Sequence, residues 1–150
     1  MNKSELIELS VIVPVYNEED IMRDMIREFS MHLDRVVGID NWQYIIVDNG
    51  STDATPTIIR EIEKKWPLTK SIWFKKPDYG NAMKEGLKAT DAKYAKIINI
   101  EQWDTTFLSW AWEIRERYDI FIGSKRADPT LNHQTPLRHF LSWGLNSILS

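Results

Sequence analysis

Two short runs, Ser10-Val-Ile-Val-Pro-Val15 and Tyr44-Ile-Ile-Val47, are apolar and β-branched almost throughout, with no polar residue alternating along them. A strand with one wet face alternates apolar with polar, whereas a continuous run belongs to a strand covered on both sides. Covering both sides of a sheet takes helices above and below, and strands joined through helices run parallel. This constrains the fold more than any other feature of the chain.

The intervening segments supply those helices. Ile21, Met22, Met25, Ile26, Phe29 and Leu33 recur at helical spacing, as do Ile58, Ile59, Ile62 and Trp66, the latter stripe entered through Pro56. Ala82, Met83, Gly86 and Leu87 suggest a third helix, and Asp104 stands where it could cap a fourth beginning at Thr105. Ser71–Phe74, Tyr94–Ile98 and Asp119–Ile122 read as further short strands. The order predicts an α/β fold: an open, mostly parallel, Rossmann-like sheet with helices on both faces and right-handed crossovers. One domain over residues 1–150 is expected.

Composition narrows the functional classes. A net charge of −3 argues against nucleic acid as a partner, since phosphate-backbone binding needs a basic face. With no cysteine, disulfides and thiolate metal sites are excluded. The first residues, Met1-Asn2-Lys3-Ser4-Glu5, have no apolar signal core, and no run approaches the roughly 18 apolar residues of a membrane span. A cytoplasmic location is expected, with possible peripheral contact at the inner face of a membrane.

In open parallel sheets ligands bind beyond the carboxyl ends of the strands. Four polar clusters fall there: Tyr16-Asn17-Glu18-Glu19, Asp48-Asn-Gly-Ser-Thr-Asp53, Asn99-Ile-Glu-Gln-Trp-Asp104 and Gly123-Ser-Lys-Arg126. Singly, each is an ordinary loop or cap: Asn17 or Asp20 for the first helix, Asp53 or Thr55 for the second. Together they predict a shared rim. No Gly-x-Gly-x-x-Gly follows the first strand, which argues against dinucleotide binding.

The pair Ser10-Val-Ile-Val-Pro-Val-Tyr-Asn-Glu-Glu19 and Ile45-Ile-Val-Asp-Asn-Gly-Ser-Thr-Asp-Ala-Thr55 resembles the opening of glycosyltransferase family 2, whose fold is the GT-A nucleotide-diphosphosugar type. The family's usual second motif is Val-Asp-Asp-Gly-Ser-x-Asp, so Asn49 departs from it. Tyr79-Gly-Asn-Ala-Met-Lys-Glu-Gly-Leu87 resembles the family's glycine-punctuated third helix. Asp119–Arg126 and Pro136–Asn146 are similar to segments of the branch that makes polyprenyl-phosphate sugars, typified by dolichyl-phosphate mannose synthase.

The resemblance implies roles. Pro14, Tyr16 and Glu18 would line the nucleobase and ribose pocket, and Asp48 would accept from the base edge. Asn99 and Glu101 align with the two Asp of the family's metal motif, so a divalent cation, Mg²⁺ or Mn²⁺, would sit on them, with Gln102 beside the donor and Asp104 assisting. Glu101, Asp104, Lys125 and Arg126 would serve the chemistry, the two cations against the leaving diphosphate. The implied partners are a nucleotide-diphosphate sugar donor and a polyprenyl phosphate or other glycosyl acceptor. An anionic phosphate acceptor needs no strong base, and His32, His133 and His139 are read as non-catalytic. A catalytically inactive relative that binds nucleotide or a protein partner is the alternative. Trp110 and Trp112 cannot share a helical face, so at least one is expected to be exposed. Leu137, Phe140, Leu141, Trp143, Leu145, Ile148 and Leu149 make an apolar tail, either an amphipathic element on a membrane or a core-packing helix. Branch members usually continue past this point, so the donor half is expected to be present and the acceptor half incomplete.

Overall fold

A computed structural model describes residues 7–101 and 104–123. The chain divides into two units, Met1–Ile114 and Arg115–Ser150. In the first, β1 (Leu9–Val15), α1 (Met22–Val36), β2 (Trp42–Asp48), α2 (Thr55–Lys65), β3 (Lys70–Trp73), α3 (Tyr79–Lys88), β4 (Tyr94–Ile97) and α4 (Thr105–Glu113) follow one another. The four strands form one sheet in the order β3-β2-β1-β4, and every neighbouring pair is parallel.

The two apolar runs occupy the middle of this sheet and are buried along their whole length. Their side chains divide between two cores. Val11, Val13, Val15, Tyr44 and Ile46 pack against Met22, Ile26, Phe29 and Leu33 of α1, Ile58, Ile59 and Ile62 of α2, and Leu108 of α4. Ile12, Ile45 and Val47 face the other way and meet Ala82 of α3. Each fully buried aliphatic or aromatic side chain contributes roughly 1.5–3 kcal/mol, so both faces supply stability. The continuous hydrophobicity of β1 and β2 thus has its expected cause.

The helices end and begin where their sequences direct. The α1 helix closes on Gly38, at φ 105°, whose N–H donates to the Leu33 carbonyl. Pro56 lies in the first turn of α2, and Lys64 and Lys65 lie in its last, where cations suit the helix dipole. Asp78 caps α3 by accepting from the Asn81 N–H. Of the third stripe, Ala82 and Gly86 face the sheet while Leu87 turns outward. Trp110 is exposed, and Trp112 packs edge-on against Tyr94, so the two indoles do part company. His32 bridges α1 to α4 through Nε2 and Ser109 Oγ, 3.0 Å apart.

The fifth expected strand does not form. Asp119–Ile122 is described and is not in a strand; Ile120 and Ile122 are 76% and 84% exposed. A strand requires a ladder partner and a buried face, and a short β-branched run supplies neither by itself. Within that unit, the Tyr118 and Phe121 rings meet edge-on at 5.8 Å. Gln102, Lys125, Arg126 and the apolar tail lie outside the described residues.

Candidate functional site

Because all four strands are parallel, Tyr16, Asp48, Trp73 and Asn99 emerge at one edge of the sheet. The chain builds outward from β1 in both directions, toward β2 on one side and β4 on the other. In such sheets the usual ligand position is the crevice at the carboxyl ends of the strands where the order changes direction, here β1 and β4. The β1–β4 ladder ends at Ile12 opposite Ile97, so Pro14, which has no N–H to give, sits just beyond it. Tyr16 and Glu18 follow on one lip, and Asn99 and Glu101 on the other.

Asp48 closes β2 and is only 4% exposed. Its Oδ1 accepts from the Ser51 N–H at 3.1 Å, folding Asp48-Asn-Gly-Ser51 into a turn. Gly50 has φ 83°, and a β-carbon on it would lie 3.4 Å from the backbone of Lys75 and Lys76. The loop after β3 is drawn onto this turn. Phe74 N–H donates to the Asp48 carbonyl at 2.8 Å, and Asp78 N–H donates to Asn49 Oδ1 at 2.7 Å. Sequence reasoning missed the loop's place on the rim. Its signal was Asn49, a buried amide that had to have a partner.

The capping around the first two helices is reciprocal. Asp53 Oδ1 accepts from Thr55 N–H within its own loop, but Asp53 Oδ2 accepts from Glu19 N–H and Thr55 Oγ1 from Glu18 N–H. Asp53 and Thr55 thus serve the first helix's entry as well as the second's, while Ile21 caps α1 with no side-chain bond.

Charge accumulates at the crevice. Burial, followed by the nearby charges of Glu101 and Asp53, raises the Glu18 carboxyl above its ordinary range. Burial also pushes Asp53 up, but hydrogen bonds from Thr55 and from the Glu19 N–H outweigh it and hold Asp53 below the usual range. On the opposite lip, Ile98 and Ile100 are buried and turn Asn99 and Glu101 outward. Asn99 Oδ1 accepts from the Glu101 N–H at 3.0 Å, a local turn that uses one lone pair of that oxygen. Asp104 Oδ1 caps α4, accepting from Thr106 N–H at 2.8 Å and Phe107 N–H at 3.0 Å. Below it Lys96 lies over the Phe107 ring at 4.7 Å; burial lowers its ammonium, partly opposed by Asp104. Among the described residues, no three His, Cys, Asp or Glu side chains converge as a metal cage.

The chain is similar to known proteins in sequence and in fold. A family model for glycosyl transferase family 2 covers residues 10–99. A dolichyl-phosphate beta-glucosyltransferase of Trichomonas vaginalis, ALG5A, is 30% identical over 94% of this chain and 47% of its own. The chain spans no more than about half the length of the curated relatives it matches. The S. aureus TarS fragment 1-349 in complex with UDP superposes with a TM-score of 0.60 at 21% identity, over 73% of this chain and 32% of that one. The mannosyltransferase PcManGT from Pyrobaculum calidifontis, in complex with GDP-Man and Mn²⁺, gives 0.59 at 21% identity, over 69% and 32%. These two show the shared fold, and the family model, spanning both strand-end motifs of the crevice, shows that this chain belongs to glycosyl transferase family 2.

Proposed function

We propose that this chain is the donor-binding part of a glycosyltransferase that moves a sugar from a nucleotide-diphosphate sugar to an acceptor, a polyprenyl phosphate. The observation that carries this reading is the common edge shared by Tyr16, Asp48 and Glu101, with Glu18 and Glu101 close enough across the crevice to feel each other's charge. Pro14, Tyr16 and Glu18 form the nucleoside side of the pocket. Asp48, buried and with one oxygen on the Ser51 N–H, accepts from the base edge with the rest of its carboxylate.

The residues at hand suit a divalent cation. A positive ion would offset the charges of Glu101 and Asp53 that Glu18 feels, and a hard cation takes one or two carboxylates when phosphate oxygens complete its shell. Glu101 and Asn99 would hold it, Glu101 through its exposed carboxylate and Asn99 through the remaining lone pair of its oxygen. Bound there, the ion supplies neutralisation of charge on the departing diphosphate. Asp104 fixes the start of α4 by accepting from the Thr106 N–H.

An acceptor phosphate oxygen forms its bond to the anomeric carbon as the bond to the diphosphate breaks, and the electron pair leaves on the diphosphate. That oxygen is already anionic at neutral pH, which agrees with the use of His32 as a structural bridge to Ser109. The dolichyl-phosphate glucosyltransferase relatives favour a polyprenyl phosphate as the acceptor. Such an acceptor would bring the protein to a membrane surface. Among the described residues no helix is long and apolar enough to cross one.

The test is release of nucleoside diphosphate from labelled UDP- and GDP-sugars with Mn²⁺, with and without polyprenyl phosphate. Release that depends on the lipid phosphate supports the reading. Tight nucleotide binding without turnover is the result given by a non-catalytic family member, whose mark in this chain is the Asn99 and Glu101 pair in place of two Asp.

A further inference from the structure

The loop after β1 and the loop after β2 are fastened to each other by side chains 34 to 37 residues apart in the sequence. We propose that Asn17 is a positioning residue, fastening the first loop onto the second so that Tyr16 and Glu18 are held toward the crevice. For its ligand, this inference rests on the donor-binding reading above.

Asn17 has φ 55°, a left-handed conformation that favours Gly and Asn over other residues. Glycine would satisfy the backbone alone. Asparagine adds an amide oxygen, which accepts from the Thr52 N–H at 2.8 Å and the Thr52 hydroxyl at 3.4 Å. The Asn17 N–H donates to Ser51 Oγ at 3.0 Å. On one side, Glu18 N–H donates to Thr55 Oγ1 at 2.8 Å; one residue further, the Glu19 carboxylate accepts from Ala54 N–H at 2.7 Å. On the other side stands Tyr16, 46% exposed. Two proposed ligand-facing residues therefore flank Asn17, which ties their loop down through both its backbone and its amide.

The bonds made by Asn17 lie on an exposed rim, outside both hydrophobic cores. Their loss would leave the core packing unchanged and loosen the loop locally. A ligand meeting a loosened loop must order it on binding, and affinity falls by that cost.

The experiment uses the whole chain with Asn17→Ala, Asn17→Gly and Asn17→Asp. Calorimetry with UDP and with GDP, each with Mn²⁺, reads affinity; thermal melting reads the fold; amide exchange at Thr52 and Glu18 reads the loop. Asn17→Ala and Asn17→Gly should weaken nucleotide binding by about tenfold, as for one hydrogen bond lost. Asn17→Asp, which keeps the acceptor, should stay within about threefold; melting should change little in Asn17→Gly and Asn17→Asp and fall slightly in Asn17→Ala, which the left-handed backbone disfavours. If the wild type binds and the Ala and Gly variants bind equally well, the proposal is overturned. Should the wild type bind neither nucleotide, the donor-binding reading fails, and exchange decides the role of Asn17. Faster exchange in Ala and Gly, restored in Asp, upholds the fastening; unchanged exchange overturns it.

Discussion

The backbone of Gly86 lies so close to Ile12 that a β-carbon on it would stand 2.5 Å from Ile12 Cγ2, and 3.2 Å from Val47 Cγ2. Both methyl groups belong to buried β-branched residues in the two central strands, where neither can swing aside. In an exposed helix Gly→Ala gains about 1 kcal/mol. Here the overpacking term, about 1–3 kcal/mol, opposes that gain. Gly86→Ala should therefore lose about 1 kcal/mol in urea denaturation, the balance of the two terms, instead of gaining stability as a helical alanine normally does.

Glu18 and Asp53 titrate in opposite senses. Burial and the charges of Glu101 and Asp53 raise Glu18 above 4.5, so the folded protein holds this proton more tightly than the unfolded chain does. Its contribution is complete below the unfolded value and is lost as pH rises through the folded one. Asp53 lies below 3.8 because, against burial, hydrogen bonds from Thr55 and Glu19 favour its charged form. Its contribution is present above the unfolded value and is lost as pH falls through the folded one. In metal-free buffer, Glu18→Gln should melt higher than the wild type at neutral pH and equally in acid. Asp53→Ala should melt lower at neutral pH, with the deficit closing in acid. Melting curves from about pH 3 to pH 8 check both.

The central strands were readable because burial on both faces leaves an uninterrupted apolar run, and the α1 stripe because its period is unambiguous. The common edge of Tyr16, Asp48 and Glu101 followed from parallel connectivity alone. What escaped reading depends on the tertiary fold. Reciprocal capping joins Glu18 and Glu19 to Thr55 and Asp53 across two loops, whereas local rules assign each cap to its own helix. Likewise the docking of Phe74 and Asp78 on the β2 turn exists only after β3 has paired with β2. Asp119–Ile122 misleads in the opposite direction: its composition reads as a strand, yet among the described residues it joins no ladder.

Asp104 has a structural duty that can be measured apart from any chemistry. Its Oδ1 takes the Thr106 and Phe107 N–H groups, two of the four that a helix start leaves unpaired. Asp104→Ala should cost about 1 kcal/mol of stability, the usual value of such a cap. Asp104→Asn retains the capping oxygen and should be as stable as the wild type, since Asn and Asp cap about equally well. Urea titrations of the three proteins give the comparison, and the Asn variant then isolates what the negative charge adds to turnover.

Asp48 and Glu101 should fail in different ways. Asp48 is buried at the end of β2, and the proposed role toward a base edge requires an acceptor. Asp48→Asn preserves shape but exchanges one acceptor for a donor, leaving a base N–H unpaired. Nucleoside diphosphate affinity should fall about ten- to a hundredfold with or without Mn²⁺. Glu101 is exposed on the opposite lip, within reach of Glu18's charge, and the proposal assigns it to the cation and not to the base. Glu101→Gln should leave metal-free affinity unchanged and abolish the increment that Mn²⁺ adds. Calorimetry of each variant with UDP and GDP, with Mn²⁺ and with chelator, separates the two. A Glu101→Gln protein whose binding still strengthens with Mn²⁺ would remove Glu101 from the cation's ligands.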